Sequence, residues 1–310
     1  MLRSARPRLN AVVLLPLALA LAVPMTAGAA VPQLDHVIVV VMENQRYDVV
    51  RVQPYTASLI ASGAELTQSY GITHPSQPNY FALWVGSTLG VSTNGCPVPG
   101  SPFPYENFGH ACEAAGLSWR AYSENLPVAG GTACSYDGDA ATGLYTRKHA
   151  PWTYFTNVDH SRERPYADLA ADIAGGTLPN LAFVIPNNCH NTHNFTTPGC
   201  SVPDGDAWLA ANLPPMLNAL GPNGVLILTW DEDDDAASNH ILTVFAGARV
   251  IPGAVSSRRV NHYTVSRTIS DALGLAPMAS AILETPIDDI WMEPTEANDR
   301  SWGGLKILYR

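Results

Sequence analysis

Positive charge is scarce in this chain. Lys and Arg number 17 against 27 Asp and Glu, a formal net charge of -10. Phosphate backbones are bound through basic surface, so this balance argues against a general nucleic-acid binder. An anionic ligand therefore needs local compensation, by a metal or by well-placed Arg and Lys. Long apolar runs are also lacking: beyond the first thirty residues, no segment approaches the roughly 18 apolar residues that span a bilayer. Stable membrane insertion is not expected. No C-x-x-C pair occurs, which argues against a zinc finger or a thioredoxin-like motif. Internal repeats, low-complexity tracts and domain linkers are absent from the sequence as well.

What is present begins with export. Arg3, Arg6 and Arg8 precede an apolar stretch from Ala11 to Val23, and small residues follow at Ala27-Gly28-Ala29-Ala30. A basic start, an apolar middle and an A-x-A ending make residues 1–30 a secretory signal peptide, leaving 31–310 as a single α/β domain. The protein is expected to be secreted. All 5 cysteines lie in the exported part, which suits an oxidising compartment. Cys189 and Cys200 bracket a short polar loop and are expected to pair. Cys96 and Cys134 lie in Gly/Pro/Ser-rich loops and form the second expected disulfide. Cys112, in the periodic segment Phe108 to Gly116, is expected to be a buried free thiol.

The stretch His36 to Asn44 organises the rest. Six consecutive apolar residues, Val37 to Met42, end in Glu43 and Asn44. Such a run, rich in β-branched side chains, predicts a strand buried on both faces of a parallel sheet. The same design recurs in Gly224 to Trp230, which closes on Asp231 and Glu232. Further strands are expected at 65–70, 118–123, 180–186 and 241–246. Helices are expected at 55–62, 80–86, 107–115, 168–174, 206–220 and 265–273. Strands alternating with helices predict an α/β fold with a mostly parallel central sheet and helices on both faces. Ligands of such sheets bind beyond the carboxyl ends of the strands.

Glu43, Asp231 and Glu232 at one sheet edge would repel unless protonated or bound to a cation. A hard dication such as Mg²⁺, Ca²⁺ or Mn²⁺ suits carboxylates and an Asn carbonyl. The bland alternative for Asp231 to Asp235 is a solvated acidic loop. Ser76, flanked by two prolines, precedes an apolar helix expected to begin about two residues later. It faces unpaired helix N–H groups, a seat for phosphate. Its bland alternative is an N-cap. His74, His149 and His193 could bind phosphate oxygen or protonate a leaving group. Arg147 and Lys148 could supply charge, although a solvated face explains them equally well. His36, His110 and His160 fit surface or hydrogen-bonding roles, and Asn194-Phe195-Thr196 is a glycosylation pattern too frequent to use.

In order along the chain stand His36 to Asn44, Thr73-His-Pro-Ser-Gln-Pro-Asn-Tyr80, Arg147-Lys-His-Ala-Pro-Trp152, Val184-Ile-Pro-Asn187 with His193, Gly205-Asp-Ala-Trp-Leu209, Thr229-Trp-Asp-Glu232 and His262 to Thr268. This ordered set resembles the bacterial phosphoesterase family of secreted acid phosphatases and phospholipases C, over about Leu34 to Trp291. The resemblance implies an alkaline-phosphatase-like fold and a metal-assisted serine nucleophile. By position, Glu43, Asn44, Ser76, Asp231 and Glu232 hold a divalent metal, Ser76 attacks, and His193 and His149 match family histidines. His74, Asn79, Arg147 and His240 fall at substrate-contacting positions. The usual Asp-x-x-His-Asp stands here as His190-Asn191-Thr192-His193-Asn194, which argues for one metal rather than two.

The resemblance therefore implies a secreted acid phosphatase acting on phosphate monoesters. A phospholipase C or other phosphodiesterase on the same scaffold is the nearest alternative. From another class, a non-enzymatic secreted protein that binds Ca²⁺ through its acidic loop explains Asp231 to Asp235 but not Ser76 or Glu43-Asn44.

Overall fold

The computed structural model describes residues 30–138, 143–193, 199–236 and 238–292. The expected signal peptide, except for Ala30, and Asn194 lie outside them. The strands are β1 (His36–Met42), β2 (Ala64–Tyr70), β3 (Trp119–Ser123), β4 (Ser135–Tyr136), β5 (Tyr145–Thr146), β6 (Glu163–Pro165), β7 (Leu181–Ile185), β8 (Gly224–Trp230), β9 (His240–Ala246), β10 (Ala254–Ser256) and β11 (Val260–Asn261). The helices are α1 (Tyr47–Val50), α2 (Pro54–Ser62), α3 (Ser76–Val85), α4 (Phe108–Ala114), α5 (Ala167–Ala174), α6 (Val202–Ala219) and α7 (His262–Ala272).

The main sheet runs β10-β2-β9-β8-β1-β7-β3-β6, with β11 beside β2, and β1 lies between β8 and β7, parallel to both. Only β9 runs against its neighbours β2 and β8. The mostly parallel α/β architecture is as the apolar runs predict. Residues of β1 alternate between two cores. Val37, Val39 and Val41 face Phe81 and Trp84 of α3 and Val265 and Ile269 of α7. Ile38, Val40 and Met42 face Leu59 of α2, Leu169 of α5 and Leu209 and Leu213 of α6. Both faces are covered, so a strand in the middle is apolar at every position.

The helix starts of α3 and α6 differ most from the sequence reading, each by four residues. α3 begins at Ser76, with Pro75 as its N-cap and Pro78 in the first turn, where a missing N–H costs no helix bond. It stops at Gly86, whose φ of 68° is the left-handed conformation that ends helices. α6 begins four residues before Asp206, because Ser201 and Asp204 form a reciprocal capping box. Its first turn carries Gly205, where a Cβ would collide with Thr192 Cγ2 and lie 2.9 Å from the His190 carbonyl oxygen. This close approach seats the loop after β7 against the sheet edge. Both expected disulfides are formed, Cys96–Cys134 and Cys189–Cys200, and Cys112 is buried and free. Burial pushes the Cys112 thiol up to about 12, so it behaves as an inert core residue.

Candidate active site

The carboxyl ends of β1 and β8 are adjacent, so their terminal residues meet. Asp231 N donates to Met42 O at 3.0 Å, and Glu43 N donates to Asn191 O at 2.8 Å, tying the loop after β7 to the same edge. Asn44 takes φ 54°, a left-handed conformation that Asn tolerates, and its N–H donates to Asp231 Oδ1 at 3.0 Å. Glu232 N donates to the same oxygen at 2.7 Å. His262, at the start of α7, donates from Nε2 to the Asp231 carbonyl at 2.5 Å. Thr192 holds φ 72°, costly for a β-branched residue, while its Oγ1 donates to Glu43 O and accepts from Trp230 Nε1.

Onto this edge α3 brings Ser76, which is buried. Its Oγ lies 2.5 Å from Glu43 Oε1 and 2.8 Å from Glu232 Oε1. Ser76 caps nothing, so the N-cap reading does not hold. The expected seat of free helix N–H groups is also diminished: Gln77 N donates to Asn94 Oδ1 at 3.0 Å, and Pro78 has no N–H. Lys148 Nζ stands 3.3 Å from Glu43 Oε1, largely buried. His149 Nε2 lies 2.8 Å from Glu43 Oε2, in a bent contact, and its ring stacks on Tyr80 at 4.8 Å. Asn191 Nδ2 donates to the same Oε2 at 3.0 Å.

The electrostatics split the acids. Burial opposes the Glu43 charge, but His149 and Lys148 outweigh it and hold the carboxyl well below the usual range. Burial, reinforced by Glu43 and Glu232, holds Asp231 well above that range. Burial likewise lifts Glu232 to about 7, against the pull of Ser76 and His74. For Lys148 burial works against its charge, yet Glu43, Asp231 and Glu232 prevail and raise its pKa. Burial pushes the His149 and His193 rings below the ordinary histidine value.

Glu43, Asp231 and Glu232 place carboxylate oxygens within 4.8 Å of one another, all buried. Asp231 Oδ2 has no hydrogen-bond partner, and one Ser76 hydrogen cannot serve two carboxylates. The donors are all oxygen, as a hard divalent cation requires, so this set fits such an ion and leaves its identity open among Mg²⁺, Ca²⁺ and Mn²⁺.

The expected substrate-contacting residues are dispersed. His74 is at the edge, with Nδ1 2.6 Å from Glu232 Oε2 and Nε2 3.3 Å from Asp233 Oδ1. His193 Nε2 is 3.2 Å from Asn44 Nδ2, half-buried beside the carboxylates. Asn79 corrects the expectation: its Oδ1 accepts from Ile72 N and Thr73 N and its Nδ2 donates to Thr73 O, so it shapes the turn before Ser76. Arg147 is likewise spent, on Thr132 O, Thr153 O and Thr153 Oγ1, over the Tyr154 ring. His240 stacks between Tyr47 and Tyr70 and reaches Thr67 O rather than the carboxylates. His149 sits behind Glu43, enclosed, and not where a leaving group could meet it. Asp233 is buried, accepting from Asn239 N, so the acidic loop is only partly solvated. Asn191, Thr192 and His262 were not singled out by the sequence. Only their places inside the motifs 187–193 and 262–268 could have marked them.

The phosphoesterase family profile matches residues 50–276. The chain belongs to the phosphoesterase family. This phosphoesterase is 38% identical over 269 residues to a phosphatidylinositol-3-phosphatase of Mycobacterium tuberculosis, covering 86% of this chain and 85% of that one. It is 28% identical over 247 residues to an acid phosphatase of Aspergillus fumigatus, covering 76% of this chain and 54% of the relative. It thus spans little more than half of that fungal enzyme. Among solved structures, a protein of the alkaline phosphatase superfamily from Vibrio parahaemolyticus aligns with TM-score 0.61 at 13% identity, covering 84% of this chain and 72% of that one. The fold of this phosphoesterase is that of the alkaline phosphatase superfamily, and the enzyme is a hydrolase of phosphate esters. The profile begins after β1, so the placement of Glu43 and Asn44 rests on geometry.

Proposed function

We propose that the chain is an exported, metal-dependent phosphomonoesterase of the acid-phosphatase type, with phosphorylated inositol lipids among its substrates. The carrying observation is Ser76 Oγ, buried 2.5 Å and 2.8 Å from two carboxylates in a family that hydrolyses phosphate esters. The lipid substrate class follows the mycobacterial relative, whose likeness spans most of both chains. Export accords with the two disulfides, and no helix among the described residues is long and apolar enough to cross a membrane.

Glu43, Asn44, Asp231 and Glu232, with Ser76, are the residues that would hold the cation. When bound, that ion neutralises phosphoryl charge and lowers the pKa of the serine hydroxyl. Ser76 Oγ attacks phosphorus, the bond from phosphorus to the ester oxygen breaks, and the hydroxyl hydrogen passes to Glu232 Oε1. Lys148, charged and beside Glu43 Oε1, balances the oxygens of the transferred group. His193, the histidine on the open side of Glu43, hands a proton to the departing alkoxide. Water then attacks the phosphoserine, giving a proton to His193. The bond from phosphorus to Ser76 Oγ breaks with return of the Glu232 proton to that oxygen, and phosphate leaves.

The test is hydrolysis of p-nitrophenyl phosphate against pH, with and without EDTA, beside Ser76→Ala. Loss of turnover on chelation and in the variant supports the reading. Near wild-type turnover by Ser76→Ala would remove the covalent step. Hydrolysis of the p-nitrophenyl phosphocholine diester alone would replace the monoesterase with a diesterase.

A further inference from the structure

Behind Glu43 lies a closed ring of buried polar side chains that the reaction above does not use. His149 Nε2 faces Glu43 Oε2 at 2.8 Å, and His149 Nδ1 is 3.2 Å from Thr146 Oγ1. Thr146 Oγ1 is 3.4 Å from Asn188 Nδ2, Asn188 Oδ1 is 3.1 Å from Asn191 Nδ2, and Asn191 Nδ2 returns to Glu43 Oε2 at 3.0 Å. Thr146, His149, Asn188 and Asn191 are all buried.

Two backbone groups and the Glu43 carboxylate fix the direction of the bonds in this ring. The Gly143 carbonyl can only accept, and it lies 2.7 Å from the Asn188 side chain, so that atom is the amide nitrogen Nδ2. The Asn188 oxygen then faces Asn191, whose nitrogen must donate to it. At the other end His193 N can only donate, at 3.0 Å, which places the Asn191 oxygen there and confirms the same orientation. Both Asn191 amide hydrogens are thereby spent, one on Asn188 and one on Glu43. A carboxylate oxygen only accepts, so His149 Nε2 carries a hydrogen. With Nδ1 as an acceptor, the Thr146 hydroxyl donates to it and accepts from Asn188. Every hydrogen of the ring then faces an acceptor, the one on Nε2 through the bent contact with Glu43 Oε2. A second hydrogen on Nδ1 would leave the Thr146 hydroxyl hydrogen with no acceptor among the described residues.

We propose that Thr146, backed by Asn188 and Asn191, is a positioning residue that fixes the orientation of the His149 ring, so that its Nε2–H faces Glu43 and pins it by its Oε2. Its Oε1 is then the oxygen presented to Ser76, Lys148 and the cation. This deepens the metal-serine reading and rests on it. The effect reaches the carboxylate through an imidazole, as outer partners of metal ligands do, and such partners are worth about 10- to 100-fold in affinity or activity. Without the hydroxyl, Nδ1 loses its donor and the ring loses the bond that fixes its rotation, so the Nε2–H no longer holds Oε2 and Oε1 shifts away from Ser76.

The experiment compares Thr146→Val, which keeps the shape and removes the hydroxyl, with Thr146→Ser, which keeps the hydroxyl. Imidazole ¹⁵N shifts of His149 in the EDTA-stripped protein read the tautomer without any metal. Calorimetric titration with Mg²⁺, Ca²⁺ and Mn²⁺ then reads affinity, and kcat and KM on p-nitrophenyl phosphate read turnover. The expected result is an Nε2–H signature with a hydrogen-bonded Nδ1 in wild type and Thr146→Ser, and an Nδ1 shift moved to that of a free acceptor nitrogen in Thr146→Val. Cation affinity and kcat fall about 10- to 100-fold in Thr146→Val alone, with KM nearly unchanged. An Nδ1–H signature in wild type overturns the proposal. So does equal impairment of both variants, or a Thr146→Val protein that melts earlier yet binds and turns over as wild type. Retained turnover in Ser76→Ala would sink the nucleophile instead, leaving the tautomer and affinity comparison to stand or fall separately.

Discussion

Glu43 and Glu163 are both fully buried, and both lie near the strand β5, yet they are held in opposite states. Glu43 is met by Lys148, His149 and the Asn191 amide, and its carboxyl lies well below the usual range despite burial. Glu163 opens β6 and is met by the hydroxyls of Ser123 at 2.8 Å and Tyr145 at 3.1 Å. Burial lifts it from 4.5 to about 7, and its Oε2 has no hydrogen-bond partner. Consecutive residues of β5 serve the two acids: Tyr145 reaches Glu163, and Thr146 reaches Glu43 through His149. A strand sends neighbouring side chains to opposite sides, so one short segment can back a charged carboxylate and a neutral one. Burial alone does not set ionisation; the charge of the neighbours decides it.

Removing the charge of each acid separates them most. Glu43→Gln is expected to lower kcat/KM on p-nitrophenyl phosphate by at least about 100-fold, whereas Glu163→Gln stays within about twofold. Comparable losses in both would mean that Glu163 also acts in the reaction. A smaller effect is expected from Gly205→Ala. The new methyl collides with Thr192 and crowds His190 O, displacing the loop that brings Asn191 to Glu43. A shift of that kind costs about 10- to 100-fold in kcat/KM, with parallel loss of cation affinity by calorimetry. Unchanged kinetics would show that the loop yields without moving Asn191.

The Glu163 side can be sharpened through stability. Its folded pKa is raised, so the folded state binds the extra proton between pH 4.5 and about 7. The favourable contribution is full below 4.5 and is lost as pH rises through 7, by on the order of 3 kcal/mol. Urea unfolding across that window should show this decline in wild type against Glu163→Gln, and parallel curves would refute it. Arg147→Ala gives the smallest effect. Arg147 is a cation that favours charge on Glu163, so its removal moves the upper end of the window to higher pH. The lost packing and hydrogen bonds cost about 1–2 kcal/mol. KM should stay within about twofold, because the guanidinium is engaged with Thr132 and Thr153; a large rise in KM would restore it to the substrate.

Much of the architecture was legible because periodicity is local. The apolar runs at 37–42 and 224–230 read as central strands, and the acids that close them as residues at a sheet edge. Local signals failed where a side chain's partner is distant in sequence. Arg147, Lys148 and His149 are consecutive and looked alike as basic residues, yet one braces a loop, one faces the carboxylates and one hides behind them. Asn79 matched a family motif, but its carboxamide is used up on the turn at 72–75. Asn191 and Thr146 carry no chemical signature of their own.

By itself the sequence determined the alternating strands and helices, the pairing of four cysteines, and the residues Glu43, Ser76, Asp231 and Glu232 as a set. Each of these follows from patterning along the chain or from a motif in order. Only the tertiary structure decided which oxygen of Glu43 is committed and which is presented, which histidine is enclosed, and which acid is charged. Those depend on donors and charges that approach from segments far apart in the sequence, and an electrostatic environment is a property of neighbours in space.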